Sequence, residues 1–146
     1  MSFPVLEGTG LSAQIGKILI ALALGIPTGW ERFKHDRSAG LRTFPLVSIA
    51  SCAYMLAAGS QNADTQARVL VGVMTGIGFI GGGSIIHDAN SVRGTATAAS
   101  LWNMGAVGAA VSYGHYGLAV LLCILNYFCL LLLRPVEERI KRGGDA

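Results

Sequence analysis

The glycine-rich stretch GIGFIGGG, residues 76–83, has a spacing that could bind a phosphate group. Its first six residues fit the pattern G-x-G-x-x-G, in which glycines let the backbone approach the pyrophosphate of a dinucleotide. Such a site also needs a preceding strand, a following helix and an acidic residue about 20 positions further on. No Asp or Glu occurs between Asp88 and Glu137, and both flanks are apolar stretches of membrane length. The context therefore argues against a dinucleotide site.

Two polar stretches, residues 30–43 and 87–95, contain similar sets of residues. Each contains His-Asp, followed by an Arg close to a Gly and a Thr. Two alternatives remain open for them: solvated basic loops with local helix capping, or an internal polar network, because charged groups at membrane depth need partners. We expect Thr43 and Thr95 to be the N-caps of the helices that follow. The network would contain Glu31, Asp36, Arg42, Asp88 and Arg93.

The same carboxylates bear on metal binding and catalysis. Glu31, Asp36 and Asp88 could supply one or two oxygen ligands to Mg²⁺, but the sequence permits such a site without indicating it. No nucleophile–base pair and no metal triad can be assembled from the chain. We therefore predict that the protein is not an enzyme and has no cofactor, and we leave open whether it binds a metal.

The composition identifies an integral membrane protein. Of the 146 residues, 52% are hydrophobic and 13% are charged, whereas a soluble domain carries about 25% charged residues. From Thr43 to Leu133 the only charged residues are Asp64, Arg68, Asp88 and Arg93. A soluble chain of this length could not cover its surface with so few.

The hydropathy pattern predicts an all-α membrane protein, a five-helix bundle forming one transmembrane domain over residues 1–146. The expected spans are residues 11–30, 44–59, 68–86, 97–113 and 117–133, followed by a tail at 134–146. Nine of the eleven Lys and Arg residues fall in 31–43, 87–96 and 134–146. Because basic loops stay cytoplasmic, we expect the N-terminus outside and the C-terminus inside. The expected partner is the lipid bilayer; nucleic acid is excluded because no basic domain exists to hold it.

Small residues spaced four apart predict close helix packing. They occur in the first span as Ala21, Gly25 and Gly29, in the third as Gly72 and Gly76, and in the fourth as Ala106, Ala110 and Gly114. Glycine costs about 1 kcal/mol in a helix interior, so the triple glycine at 81–83 predicts a bend or break near the end of the third span. Whether this break faces another helix or a ligand is left open.

Polar residues inside the predicted spans need partners. Asn103 and Asn126 are expected to form hydrogen bonds between helices, with Trp102 adding a packing contact. Lys17 is expected to extend its ammonium group toward the membrane surface. The cysteines Cys52, Cys123 and Cys129 lack metal-ligand spacing and are interpreted as small buried hydrophobic residues.

Several ordered motifs resemble those of the MgtC/SapB family of bacterial membrane proteins. AGLRT at 39–43, GIGFIGGG at 76–83, and VRGTATAA at 92–99 followed by Leu101-Trp102 are similar to its AGLRT, GIGFLGAG and VRGLTTAA-x-LW signatures. A G-x-E-R element ends the first span. The resemblance covers nearly the whole chain. The resemblance implies that these motif positions are functional: Glu31, Arg32, Gly40, Arg42, Thr43, Gly76, Gly78, Gly81, Gly83, Arg93, Gly94, Thr97 and Trp102. Asp88 lies where the family often has an acidic or polar residue. We add Asp36 and Asn103 as candidates from the analysis of charged and polar residues above.

The resemblance implies an inner-membrane protein linked to growth in low magnesium and to survival inside macrophages. It implies a regulator of another membrane complex, such as the ATP synthase or a cation or phosphate transport system, rather than a magnesium transporter. We interpret the chain as a short form without the ACT-like domain that longer relatives append. The expected function is therefore non-enzymatic regulation by a homo-oligomeric protein with a membrane-protein partner. The alternative is a small oligomeric transporter or channel for Mg²⁺ or protons.

Overall fold

Five α-helices make up most of the chain in a computed structural model, which describes residues 10–34, 39–59, 62–88 and 91–144. The helices are α1 (Leu11–Phe33), α2 (Thr43–Ala58), α3 (Ala63–Gly83), α4 (Thr95–Ser112) and α5 (Tyr116–Gly144). The five predicted helices are confirmed, with two differences in extent. Helix α3 begins earlier than predicted, and α5 continues through Pro135 into the segment that we predicted as a tail.

A short antiparallel hairpin between α3 and α4 is the exception to an all-α fold. It consists of β1 (Ile86–Asp88) and β2 (Ser91–Arg93), with His87 opposite Val92. We predicted a simple connection here, because three-residue strands are too short to show an alternating pattern. The hairpin orients Arg93 immediately before the start of α4.

Contacts between the helices show how α1 runs relative to α4 and α5. Near the start of α1, Lys17 Nζ donates to the carbonyl oxygen of Ser112 at the end of α4. Helices α1 and α5 run side by side in the same direction, because Cys123 Sγ donates to Leu24 O and Asn126 Nδ2 donates to Thr28 Oγ1. The end of α1, the hairpin and the later part of α5 therefore lie together, at what we call the arginine end.

Helix α4 is the centre of the bundle and contacts all four other helices. Leu101, Met104, Val107 and Val111 are fully buried, and Ala109 and Ala110 are also buried, whereas Ala106 is exposed. A helix enclosed on most of its circumference needs little amphipathic pattern. This explains how a sequence rich in Ala, Gly and Ser can occupy the core.

Close helix packing occurs in the first predicted seam but not in the other two. The seam in α1 is confirmed: a Cβ on Gly25 would lie 2.6 Å from Pro45 Cα. Of the predicted α4 seam, Ala110 is buried in the core, but Ala106 is exposed and no described atom lies within 4 Å of a Cβ on Gly114. The close approach in α4 is instead at Gly108, where a Cβ would collide with Ser48 O of α2.

Helix α3 extends through the triple glycine and ends at Gly83, three residues before the predicted end of the third span, so the chain does leave the helix at the predicted place. At this end, the Ser84 N–H and hydroxyl both donate to Gly81 O. Gly81 packs on Ala98 of α4. Around Gly72 and Gly76, no described atom lies within 4 Å of an added Cβ, so this seam has no neighbour within the described chain.

The two threonines predicted as N-caps are the first helical residues instead. Arg42 and Gly94 occupy the cap positions of α2 and α4, and no described side chain caps either helix. Gly94 has φ +92°, a left-handed conformation that disfavours other residues. The VRG tripeptide therefore turns the chain from the hairpin into α4.

Candidate functional site: an arginine-lined cavity and an open groove

A cavity of about 390 Å³ lies at the arginine end, where α1, the hairpin, α4 and α5 meet. The motif VRGTAT at 92–97 forms one continuous wall of it. Its charged lining residues come from three different elements: Arg32 from α1, Arg93 from β2 and Arg134 from α5. The remaining lining residues are Ala99, Ser100, Asn126, Cys129, Leu130 and Leu133.

The hairpin and the start of α4 determine which groups face the cavity. Gly94 provides the turn, so Arg93 lies on one side of it and the first turn of α4 on the other. Thr97 and Ser100 are three residues apart and therefore share a helix face. Both are almost completely buried and both line the cavity. The hydroxyl-bearing residues Thr97 and Ser100 of α4 and the three arginines therefore line the same cavity.

Arg32 forms an ion pair with its neighbour Glu31 in the last turn of α1. The distance from Arg32 Nε to Glu31 Oε2 is 2.8 Å, and both residues are about 95% buried. Adjacent helix positions normally point apart, and these two atoms are too poorly aligned for a hydrogen bond between them. The attraction between the two side chains is therefore mainly Coulombic. Removing either side chain would leave the charge of the other buried, which is unfavourable.

The predicted interhelical hydrogen bonds of the two asparagines are confirmed, and they fix α5 in place. Asn126 donates to Thr28 of α1, and Asn103 Nδ2 donates to Leu122 O at 3.3 Å. Asn126 lines the cavity, so its bond to α1 also joins two of the cavity walls. The predicted neighbour Trp102 is half-exposed and faces outward.

The structure brings four of the predicted functional residues into this cavity: Arg32, Arg93, Gly94 and Thr97. The sequence analysis did not single out Ser100 or Arg134. Arg134 has a sequence signal, since it directly follows the apolar run of the fifth span. Ser100 has none, because its importance comes from its position on the buried face of α4.

The other predicted residues lie outside this cavity. Of the residues predicted for a polar network, Glu31 is buried, whereas Arg42, Asp88 and Arg93 are exposed. Asp36 lies outside the described residues. Among the residues that the structure describes, no three His, Cys, Asp or Glu side chains lie close enough to hold a metal ion. Thr43, Gly76, Gly78, Gly81, Gly83 and Gly40 belong to helix ends and to the exposed face of α3.

An apolar groove of about 690 Å³ separates α2 from α3. Gly72, Gly76 and Ile77 form its α3 wall, and Val47 and Tyr54 are part of the facing wall on α2. Helix α3 packs more closely on α4 than on α2, which leaves the groove open. Thr43 lines the groove at the arginine end.

Helix length and apolarity indicate a membrane protein. Within the described residues, α1 and residues 116–136 of α5 are long and apolar enough to cross a bilayer. These two apolar helices, packed with a central helix rich in small residues, indicate a small helical-bundle membrane protein.

Comparison with known proteins identifies the family. The chain belongs to the MgtC family, which matches residues 18–139. It is 34% identical over 125 residues to Protein MgtC of Salmonella typhimurium, covering 86% of this chain and 54% of the relative. Protein MgtC of Brucella abortus is 35% identical over 119 residues, covering 81% of this chain and 50% of the relative. The chain therefore spans about half the length of these relatives. No solved structure matches it.

Proposed function

We propose that the protein is a five-span inner-membrane protein of the MgtC type that supports adaptation to low magnesium. It acts as a non-enzymatic regulator by binding a helix of another membrane complex, such as the ATP synthase or a cation or phosphate transport system. The observation that carries the proposal is the open glycine-lined groove between α2 and α3. Membership of the MgtC family supports the proposal that this groove lies in a membrane protein.

The distribution of charge supports five crossings. On α3, Asp64 and Arg68 form an exposed pair near its start, and Asp88 and Arg93 lie on the hairpin beyond its end. The middle of the bundle exposes large apolar side chains such as Phe79, Leu125 and Leu131. The five helices have 16 to 29 residues. At about 1.5 Å per residue, the shortest approaches the thickness of the hydrocarbon layer and the longest exceeds it. The arginine end would then be cytoplasmic.

The groove has the features of a site for a transmembrane helix. Glycines on one wall allow close backbone approach, which drives helix association in membranes, where apolar burial alone provides little driving force. A substituent on Gly76 meets no described atom within 4 Å, so the groove is not closed by the chain itself. We commit to a helix of a different membrane protein as the occupant; a second copy of this chain is an outcome that the experiment separates.

The test is co-purification of the full chain from its native membrane, compared with Gly76→Leu. The leucine would fill the groove without colliding with the chain's own described atoms, so the bundle should fold while partner binding is lost. Gly16→Leu is the matched control, since it places the same side chain on an open face of α1. Partner recovery unchanged by Gly76→Leu would refute the groove. A loss of self-association alone would assign the groove to a second copy and also refute a hetero-partner.

The rival function, transport of Mg²⁺ or protons, is tested by flux into liposomes that contain only this protein. The regulator proposal predicts no flux above that of empty liposomes. Flux abolished by Asp88→Asn or by Glu31→Gln would overturn it, because these carboxylates were the candidate ligands. Absence of flux together with recovery of an ATP synthase subunit or a cation pump would reject the transporter.

A further inference from the structure

The outer face formed by α1 and α2 contains a groove of about 620 Å³, which we call the α1–α2 groove. The two helices touch along glycines of α1: a Cβ on Gly25 would lie 2.6 Å from Pro45 Cα, and one on Gly29 would lie 3.1 Å from Leu41 Cα. Because the backbones approach so closely there, the larger side chains that flank this contact form the walls of the groove. Leu46 separates it from the α2–α3 groove, which this residue also lines.

Along the α1 wall, the residues change from apolar to aromatic to basic. Leu22, Ile26 and Trp30 are four residues apart and therefore form one stripe about 12 Å long on the helix surface. Lys34 continues this stripe, with its Nζ 5.5 Å from the centroid of the Trp30 ring. On the facing wall, Arg42 directly precedes α2, so it lies at the same end as Lys34. The groove is thus apolar along its length and basic at the arginine end.

The two cations at this end have no acidic partner within the part of the chain that the structure describes. Neither Lys34 nor Arg42 forms a salt bridge to a described residue. The neighbouring acid Glu31 is buried and pairs with Arg32, and none of the described residues that line the groove is acidic. The basic end is therefore complementary in charge to an anion, and the rest of the groove is complementary to a hydrocarbon chain.

We propose that the α1–α2 groove is a binding site for an anionic phospholipid. The headgroup phosphate binds at Arg42 and Lys34, and an acyl chain lies along Ile26 and Leu22. A guanidinium donates paired hydrogen bonds to phosphate, and basic residues near the membrane surface attract anionic lipid. Tryptophan is enriched at the level of the headgroups, which is where Trp30 lies in this arrangement. The inference rests on the proposed crossing of the bilayer by α1 and α2, and it is independent of any helix bound in the α2–α3 groove.

The positions of the glycines favour a lipid over a helix as the occupant of this groove. Gly25 and Gly29 are covered by α2, so only side chains face the occupant. In the α2–α3 groove, by contrast, Gly76 is open. Close helix association in membranes is favoured by exposed small residues, whereas a flexible acyl chain can follow a surface made of side chains. The two grooves therefore suit different occupants.

The experiment uses the two tryptophans of the chain as reporters. Trp30 lines the groove and is 49% exposed, whereas Trp102 is 51% exposed and does not line it, so Trp102 is a matched control. The full chain is prepared as Trp102→Phe, which keeps Trp30, and as Trp30→Phe, which keeps Trp102. Each is reconstituted in phosphatidylcholine bilayers with a small fraction of phosphatidylglycerol carrying brominated acyl chains, or of phosphatidylcholine with the same chains. Bromine quenches the fluorescence of a nearby tryptophan. We expect phosphatidylglycerol to quench Trp30 more strongly than phosphatidylcholine does, and the two lipids to quench Trp102 equally.

Charge variants that retain Trp30 test the headgroup contacts. Arg42→Gln should weaken the apparent affinity for phosphatidylglycerol about fivefold, the loss expected for one basic residue near an anionic lipid. Lys34→Gln is a second variant with the same expected loss, and both side chains are exposed, so neither change should prevent folding. Arg139→Gln is the control, since it removes an exposed arginine that does not line the groove.

Three results would overturn the proposal. The first is equal quenching of Trp30 by the two lipids. The second is the same preference for phosphatidylglycerol at both tryptophans, which would indicate attraction by the whole basic surface. The third is a loss in Arg139→Gln as large as the losses in Arg42→Gln and Lys34→Gln. Each of them leaves partner recovery through the α2–α3 groove unaffected, and failure of that recovery leaves the lipid preference of Trp30 intact. Absence of quenching of Trp30 by either lipid would overturn the proposed crossing of α1 as well.

Discussion

Gly94 and Ser84 approach so closely that no side chain can be placed between them. A Cβ on Gly94 would collide with Ser84 O and would lie 3.0 Å from Ser84 C and 3.2 Å from Ile85 Cα. These contacts join the end of α3 to the start of α4 across the hairpin. Position 94 therefore requires glycine for two reasons: the backbone is left-handed, and there is no space for a side chain.

Gly94→Ala should destabilise the protein more than a substitution that introduces backbone strain alone. Left-handed strain costs roughly 1–2 kcal/mol, and the collision with Ser84 adds to it. Gly114→Ala is the control, since Gly114 also has positive φ (+79°) but no described atom lies within 4 Å of its added Cβ. Thermal unfolding in detergent measures the difference. Equal melting temperatures for the two variants would contradict the close contact.

Gly108→Ala should also destabilise the bundle, because its methyl group would enter the contact between α4 and α2. The added Cβ would collide with Ser48 O and lie 2.8 Å from Ser51 Cβ, and overpacking of this kind costs about 1–3 kcal/mol. At the open position Gly76, the same change should be neutral or should stabilise by up to about 1 kcal/mol through helix propensity. Chemical denaturation of both variants tests this. A greater loss from Gly76→Ala would show that α3, not α4, carries the tight seam.

Lys17→Met should destabilise the end of the bundle opposite the arginines. Lys17 Nζ lies 2.6 Å from Ser112 O, where an ammonium group stabilises the C-terminal carbonyls of α4. Hydrogen bonds to charged groups contribute about 1.5 kcal/mol or more. Arg68→Met is the comparison, because its pair with Asp64 is highly exposed and contributes little. The free energies of unfolding should therefore separate the two; similar values would mean that Lys17 only extends into solvent.

Thiol labelling should distinguish the three cysteines. Cys129 is exposed, whereas Cys52 and Cys123 are buried, so a maleimide should attach to one site per chain in detergent and to none in Cys129→Ala. The interpretation of all three cysteines as buried is therefore wrong for Cys129. The sequence did not show on which face of α5 this residue lies. In sealed inside-out vesicles, a membrane-impermeant maleimide should reach Cys129 more readily than in intact cells. The opposite preference would reverse the proposed orientation.

The sequence predicted the elements of this fold better than their contacts. Apolar runs of sufficient length revealed five helices, because burial in lipid or in a bundle requires them along the chain. Spacing of small residues identified the α1 seam at Gly25 but missed Gly108. The reason is that a small residue permits close approach, whereas the rotation of each helix within the bundle decides where approach occurs.

The site shows the same division. Arg32, Arg93 and Thr97 were singled out from motifs, and they do meet in one cavity. The sequence could not show that Arg134 joins them, because that depends on α5 running beside α1. Conversely, Arg42 and Asp88 were singled out on similar grounds, yet neither of them lines the cavity. Charge and motif identify candidates, and helix packing selects among them.

The central position of α4 also bears on how the protein is assembled during synthesis. This helix is made fourth, and its polar residues Ser100 and Asn103 would be poorly solvated if they faced lipid alone. By then α1, α2 and α3 are already available to contact it, and α5, the most apolar segment, follows and contacts it as well. In the proposed five-span arrangement, the order of the helices along the chain is therefore also a workable order of insertion, because three of the four helices that contact α4 precede it.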